Sequence, residues 1–191
     1  MKNLLFSLLI SIPSIVLGQH QENAISYEDI ITLNELTYLK KDTTLVSGWI
    51  KDGDIYTPYK NGLKDGIEKE WYMPGKPWME SPYKKGKLHG IKKTWWENGQ
   101  LNYEEPYKNG EAHGSHKTYG ENGQLTNETI YRLGKIHGIE KEWYDNGKIK
   151  SETEYKEDEM NGFRKTWYKN GQLDEREIAL LSMVDENYVE G

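Results

Sequence analysis

The chain has 191 residues, a formal net charge of −6, 29% charged and 35% hydrophobic residues, and no cysteine. A mildly acidic chain of this length is enough for one soluble domain, and it lacks the basic excess from which duplex nucleic-acid binders draw their non-specific affinity. Without cysteine there is no disulfide framework, thiolate metal site or cysteine nucleophile, and 7 Trp and 14 Tyr against 2 Phe make amphipathic aromatics the main source of burial.

In chain order, Lys2 precedes an apolar run over residues 4–17 that is interrupted by Ser7, Ser11, Pro13 and Ser14 and ends in Val16-Leu17-Gly18. This pattern predicts a secretory signal peptide over 1–18, cleaved near Gly18, with the mature protein periplasmic or secreted. The run falls short of the roughly 20 apolar residues of a spanning helix, and there is no other strong membrane signal. No cysteine follows, which excludes a bacterial lipoprotein. Residues 19–35 read as a polar leader. Residues 30–40 carry enough β-formers for one strand and 45–50 for a second, with a turn between them. Residues 36–58 form a degenerate capping hairpin, in which Ser47-Gly48-Trp49-Ile50-Lys51-Asp52-Gly53 keeps a glycine pair and a Trp but not the spacing that follows.

From Tyr59 a unit of 24 residues recurs, starting at Tyr59, Tyr83, Tyr107, Tyr131 and Tyr155. Such a period signals a repeat architecture. Counting from the Tyr, the unit has Gly at +3 and +7, Lys at +10, Trp or Tyr at +12 and Gly at +16, and it implies two turns. The turn at +14 to +16 reads Glu97-Asn98-Gly99, Glu121-Asn122-Gly123, Asp145-Asn146-Gly147 and Lys169-Asn170-Gly171, with Met73-Pro74-Gly75 divergent. A three-residue loop with Gly75, Gly99, Gly123, Gly147 and Gly171 at positive φ keeps the alternation cleanest. It predicts Ile139, Trp143, Ile149 and Tyr155 on one face, and Glu140, Glu142, Lys150, Glu152 and Glu154 on the other. The second turn, closed by Gly66, Gly90, Gly114, Gly138 and Gly162, reads as a wide loop with two positive-φ positions, Asp158 standing where the other copies have Gly. The fold expected is all-β: an elongated single-layer antiparallel β-meander of about five hairpin repeats (59–82, 83–106, 107–130, 131–154 and 155–173). Residues 174–191 would add a C-terminal cap and tail, the cap being a short helix or a strand followed by a helix, with Ile178, Leu181, Val184 and Tyr188 at near-helical spacing.

The pattern Tyr-x-Asn-Gly-x-x-His-Gly followed by Trp-x-x-Asn-Gly resembles the MORN-repeat variant, the repeat of bacterial YwqK-type antitoxin proteins, over residues 36–173. That resemblance implies a binding module in an antitoxin-like or immunity-like role. The MORN motif of eukaryotes has a further Gly after His-Gly, where this chain has Ile91 and Ser115. The stretch Ser47 to Gly53 is similar to choline- or glucan-binding cell-wall repeats, which implies a glycan partner instead.

Two columns are candidate partner-binding residues. Lys69, Lys93, Lys117, Lys141 and Lys165 could offer a row of positive charge to an acidic partner, or lay their stems over the neighbouring rings. Trp71, Trp95, Tyr119, Trp143 and Trp167 could form a ligand platform or the packing spine of the sheet, and packing is favoured because each ring buries about 200 Å². His89, His113 and His137 recur at a spacing of two strands, roughly 9.6 Å, too far apart to share a zinc, and read as turn residues that favour left-handed conformations. Glu80, Glu104, Glu128 and Glu152 read as a solvated column on the opposite face, without the cleft that acid–base chemistry requires. Asn127-Glu128-Thr129 matches a glycosylation acceptor, which has meaning only in a eukaryotic secretory pathway. No catalytic, cofactor or metal constellation is present. The expectation is a non-enzymatic exported module that binds a protein, such as a toxin or envelope protein, with a homodimer through the aromatic face or a glycan on the Trp/Tyr ladder as other readings.

Overall fold

The computed structural model describes residues 24–174 and 179–181, and is built of strands apart from one 3-10 turn at Tyr27–Asp29. The expected signal peptide, the start of the leader and most of the expected C-terminal cap lie outside the described residues. The opening strands are β1 (Ile25–Ser26), β2 (Ile30–Leu33), β3 (Leu36–Leu39), β4 (Gly48–Asp52), β5 (Ile55–Lys60) and β6 (Leu63–Lys64). They are followed by β7 (Gly66–Met73), β8 (Lys76–Lys84), β9 (Lys87–Leu88), β10 (Gly90–Trp95), β11 (Leu101–Lys108), β12 (Glu111–Ala112) and β13 (Gly114–Tyr119). The last described strands are β14 (Leu125–Arg132), β15 (Lys135–Ile136), β16 (Gly138–Trp143), β17 (Ile149–Lys156), β18 (Glu159–Thr166) and β19 (Ala179–Leu181).

All but β2 and β3 join one 17-stranded sheet. Its long strands pair antiparallel in chain order, β4 to β5, β5 to β7, β7 to β8 and so on to β18 and β19. The two-residue strands β6, β9, β12 and β15 each fold back on the end of the preceding long strand. The sheet is mixed only because β1 pairs parallel with β4.

The second turn of the unit is tighter than the wide loop expected. Lys60 pairs with Leu63 across Asn61-Gly62, at φ 51° and 79°, and the same pair of left-handed residues recurs as Lys85-Gly86, Asn109-Gly110, Leu133-Gly134 and Glu157-Asp158. Two successive positive φ values define the type I′ turn, whose twist matches that of the flanking strands. The next glycine therefore opens the following long strand instead of closing a loop. These turns also stack: the Gly86, Gly110 and Gly134 amides donate to the carbonyls of Lys64, Leu88 and Ala112 in the preceding copy.

The Asn-Gly turn is the three-residue loop expected. Trp96 N donates to Gln100 O, Gly99 N donates to Trp96 O, and Gly99 sits at φ 85°, a geometry repeated at Gly123, Gly147 and Gly171. The first copy differs, since Met73 pairs with Lys76 and only Pro74-Gly75 lie between them. A further irregularity follows each loop. Glu142 pairs with Ser151 but Trp143 pairs with Ile149, so Lys150 is an extra residue and the strand beyond it changes face. Tyr155 accordingly lies opposite Gly138, on the face away from Ile139, Trp143 and Ile149, while Glu152 and Glu154 join the face of Lys141 and Ile139. The expected placement of Tyr155 and of the Glu80, Glu104, Glu128 and Glu152 column is thereby corrected, because a one-residue slip exchanges faces.

Residues 30–39 form a hairpin, not one strand: β2 pairs with β3 around Asn34-Glu35, both left-handed. The expected leader thus contributes β1, the 3-10 turn and β2 within its described residues 24–35. Three backbone bonds, Thr37 N to Gly62 O, Gly62 N to Val46 O and Val46 N to Thr37 O, fasten this hairpin over the first type I′ turn. Beneath it Ile30, Val46 and Ile50 form the buried apolar cluster, with Ile25, Leu39 and Tyr59 against it. At the other end Ala179–Leu181 is a strand on β18, where a short helix or a strand leading into a helix was expected; the described residues of this segment contain no helix. The unpaired donors and acceptors along the edge of β18 make strand addition the better use of this segment.

Candidate interaction surface

Directly opposed residues of an antiparallel pair point to the same face, so the pairings assemble the repeat columns into rows across the sheet. On one face Lys93 stands between Glu80 and Glu104, Lys117 between Glu104 and Glu128, and Lys141 between Glu128 and Glu152. Lys69 stands between Tyr56 and Glu80, and Lys165 faces Glu152. Ammonium–carboxylate distances are 2.9 Å for Lys69–Glu80, 3.1 Å for Lys93–Glu104, 3.6 Å for Lys117–Glu128 and 3.2 Å for Lys141–Glu152. Lys165 Nζ lies 4.8 Å from the centre of the Phe163 ring. The lysine column is thus half of an alternating charge ladder, and an acidic partner would meet its carboxylates as well as its ammonium groups.

The aromatic column runs beside this ladder on the same face. Trp71, Trp95, Tyr119, Trp143 and Trp167 are half-buried and pair with Pro77, Leu101, Leu125, Ile149 and Leu173. Tyr56 meets Trp71 edge-on at 5.3 Å. The row therefore acts as a packing spine that remains partly open to solvent. Flanking the ladder on its other side are Ile67 and Ile91, both exposed, opposite Pro82 and Pro106.

On the reverse face Tyr83, Tyr107, Tyr131 and Tyr155 lie opposite Gly66, Gly90, Gly114 and Gly138. These glycines have φ between 120° and 136°, and a Cβ would come within 2.8–3.1 Å of Pro58, Pro82, Pro106 or Ile130. Crowding by the residue that precedes each Tyr was not anticipated, although the prolines at 58, 82 and 106 share the 24-residue spacing. Between the tyrosines lie the buried hydroxyls of Ser81, Thr94, Thr129, Ser151 and Thr153. At the centre the His116 ring lies 5.3 Å from Tyr103 and 6.0 Å from Tyr131, and Tyr107 donates to Glu105 Oε2 at 2.8 Å. Burial lowers the His116 pKa, partly offset by the Glu105 charge. Burial also raises that of the Tyr107 hydroxyl, and its bond to Glu105 raises it further.

His89, His113 and His137 donate their backbone N–H to the carbonyls of Pro82, Pro106 and Ile130. None is at positive φ, so their role in the turn does not depend on a left-handed backbone. Among the described residues no three His, Asp or Glu side chains gather as metal ligands.

The position after the aromatic column carries a role that sequence reasoning missed. Tyr72 OH donates to Trp95 O at 3.1 Å, Trp96 Nε1 to Tyr119 O at 2.9 Å, and Tyr144 OH to Trp167 O at 2.8 Å. Each ties a copy to the next. In the third copy Gly120 replaces the aromatic, and Gln124 Nε2 donates to Tyr144 O. The signal was present as a second aromatic column at 72, 96, 144 and 168, broken by one glycine.

A single sheet of stacked hairpins, with inter-copy bonds at both sets of turns and no buried apolar side chain in residues 59–173 among those described, defines an all-β repeat protein. Its central copies match the family model described as the MORN repeat variant, at residues 88–109, 112–132 and 136–157. Each match begins one residue before His-Gly, so the frame is offset from the Tyr-first frame while the period is the same. No curated protein matches the chain. Repeats of this kind suggest an interaction module.

Proposed function

We propose that this chain is a non-enzymatic module that binds a protein partner on its open sheet, in an antitoxin-like or immunity-like role outside the cytoplasm. One observation carries the reading. Among the described residues the buried apolar side chains, Ile30, Val46, Ile50 and Tyr56, all precede the first repeat, while the repeats present half-buried aromatic rows with no second layer over them. A sheet face of this kind gains most when another surface covers it. The face of Trp95, Tyr119 and Trp143 suits this use, since its charge ladder is internally neutralised and its apolar rows lie on either side. The same rows are poorly placed as a glycan ladder, because each ring already rests against an aliphatic neighbour.

Affinity capture with the full chain from the envelope fraction of the source cell tests the proposal. It should recover one specific protein, and elution by salt should be incomplete because apolar contacts contribute. Recovery of no specific protein would overturn it. A second copy on the same face would appear as concentration-dependent dimerisation in sedimentation.

A further inference from the structure

We infer that a saccharide-binding cleft lies between the first two Asn-Gly-type turns, formed by Tyr72, Lys76, Trp96, Glu97, Asn98 and Glu121. The inference is independent of the protein partner proposed above. The cleft measures about 640 Å³, within the roughly 300–1,000 Å³ of small-ligand sites.

Its origin is local. In the second and fourth copies the turn asparagine stitches neighbouring turns together, Asn98 Nδ2 donating to Glu121 O and Asn146 Nδ2 to Lys169 O. The first copy has Pro74 in that place, which has no side-chain donor, and its turn is shortened to Pro74-Gly75. The first two turns therefore lack that side-chain bridge, although Tyr72 ties their strands through Trp95 O. The shortened turn also pairs Lys76 with Met73, next to Tyr72.

Two aromatic side chains in the cleft are pinned by their polar ends, Tyr72 through its hydroxyl on Trp95 O and Trp96 through Nε1 on Tyr119 O. Trp78 meets Tyr72 edge-on at 6.3 Å and supports it from the side. Rings held in this way need little ordering when a ligand arrives. The electron-rich ring faces suit the axial C–H groups of a pyranose.

The charges around the rings decide the ligand class. Glu97 and Glu121 offer acceptors and Lys76 offers donors. A cation would meet the ammonium group and an anion would meet two carboxylates. A neutral polyol avoids both conflicts, and its hydroxyls use donors and acceptors alike. The ligand is therefore a neutral oligosaccharide of equatorially substituted, β-linked pyranoses, which present the flattest C–H faces.

The test is calorimetric titration of the full chain with cellotetraose and, as the α-linked comparison, maltotetraose. Cellotetraose should bind saturably at millimolar concentration and more tightly than maltotetraose. Trp96→Ala should weaken binding about tenfold. Glu97→Gln and Glu121→Gln, which keep the shape of the cleft, should each weaken it several-fold. Tyr144→Ala removes the equivalent tie in the fourth copy, where the turns are stitched, and should leave affinity unchanged. Absence of saturable binding, equal loss in Trp96→Ala and Tyr144→Ala, or full affinity in both glutamine variants overturns the inference.

Discussion

At the scale of single residues, two glycine columns that look alike in the sequence do different work. Gly99 is at φ 85° with open space for 4 Å around the place a Cβ would take, whereas Gly114 is at φ 122° and a Cβ there would stand 3.0 Å from Pro106 Cγ. Alanine at 99 meets only the left-handed strain and should cost about 1 kcal/mol. Alanine at 114 meets strain and a rigid ring, and should cost about 3 kcal/mol. Urea unfolding of the two variants decides the matter, and Pro106→Ala should restore part of the loss only in the Gly114→Ala background. Equal costs would refute the crowding.

His116 supplies a pH test at the same scale. Its folded pKa lies below the ordinary value of 6.5, chiefly through burial between Tyr103 and Tyr131. A histidine depressed in the folded state binds protons more readily when unfolded. Its contribution is present above pH 6.5 and is lost as pH falls toward and through the folded value. His116→Gln lacks that loss, so the difference in stability between variant and parent should shift in favour of the variant from pH 7.5 to pH 5. A difference that stays constant over this range would exclude the effect.

At the scale of strands, the Lys/Glu ladder is a cross-strand device whose members are all partly exposed. Each pair is worth little alone, about 0.2–1 kcal/mol. Their order matters more, because Glu104 lies between Lys93 and Lys117. Glu104→Lys places three ammonium groups side by side and should destabilise the sheet by about 1 kcal/mol more than Glu104→Gln, with the excess shrinking in high salt. Thermal unfolding of both variants at low and high ionic strength measures it. The ladder also shows how far the sequence could be read. The Asn-Gly loop was legible because glycine and asparagine announce their backbone angles. The extra residue at Lys150 was not, since a bulge between Ile149 and Ser151 has no glycine or proline to mark it. That one unmarked residue moved the glutamates beside the lysines and turned a supposed positive row into a nearly neutral one. The left-handed Glu35, Lys85, Leu133 and Glu157 carry no such mark either. The cleft at Tyr72 was hidden because it arises from Pro74, which the sequence showed only as a divergent turn.

At the scale of the molecule, each copy contacts its neighbours through strand pairing and through bonds that span about one period, such as Gly110 N to Leu88 O, Gly134 N to Ala112 O and Trp96 Nε1 to Tyr119 O. Stability is then a sum over copies and junctions, with the N-terminal hairpin and its Ile30, Val46 and Ile50 cluster holding the first copy. Removal of residues 107–130 joins Pro106 to Tyr131, which reproduces the Ile130–Tyr131 junction in both spacing and face. The donor Trp96 Nε1 then meets Trp143 O in place of Tyr119 O, and Gly134 N meets Leu88 O in place of Ala112 O. The shortened chain should fold, keep its β-type circular dichroism and unfold in urea with a lower slope, since less surface is exposed. Removal of residues 107–118, half a period, brings a strand in with its direction reversed and its rows mismatched, and should give no cooperative transition. If both deletions unfold alike, the copies are not interchangeable units and the additive description of the sheet fails.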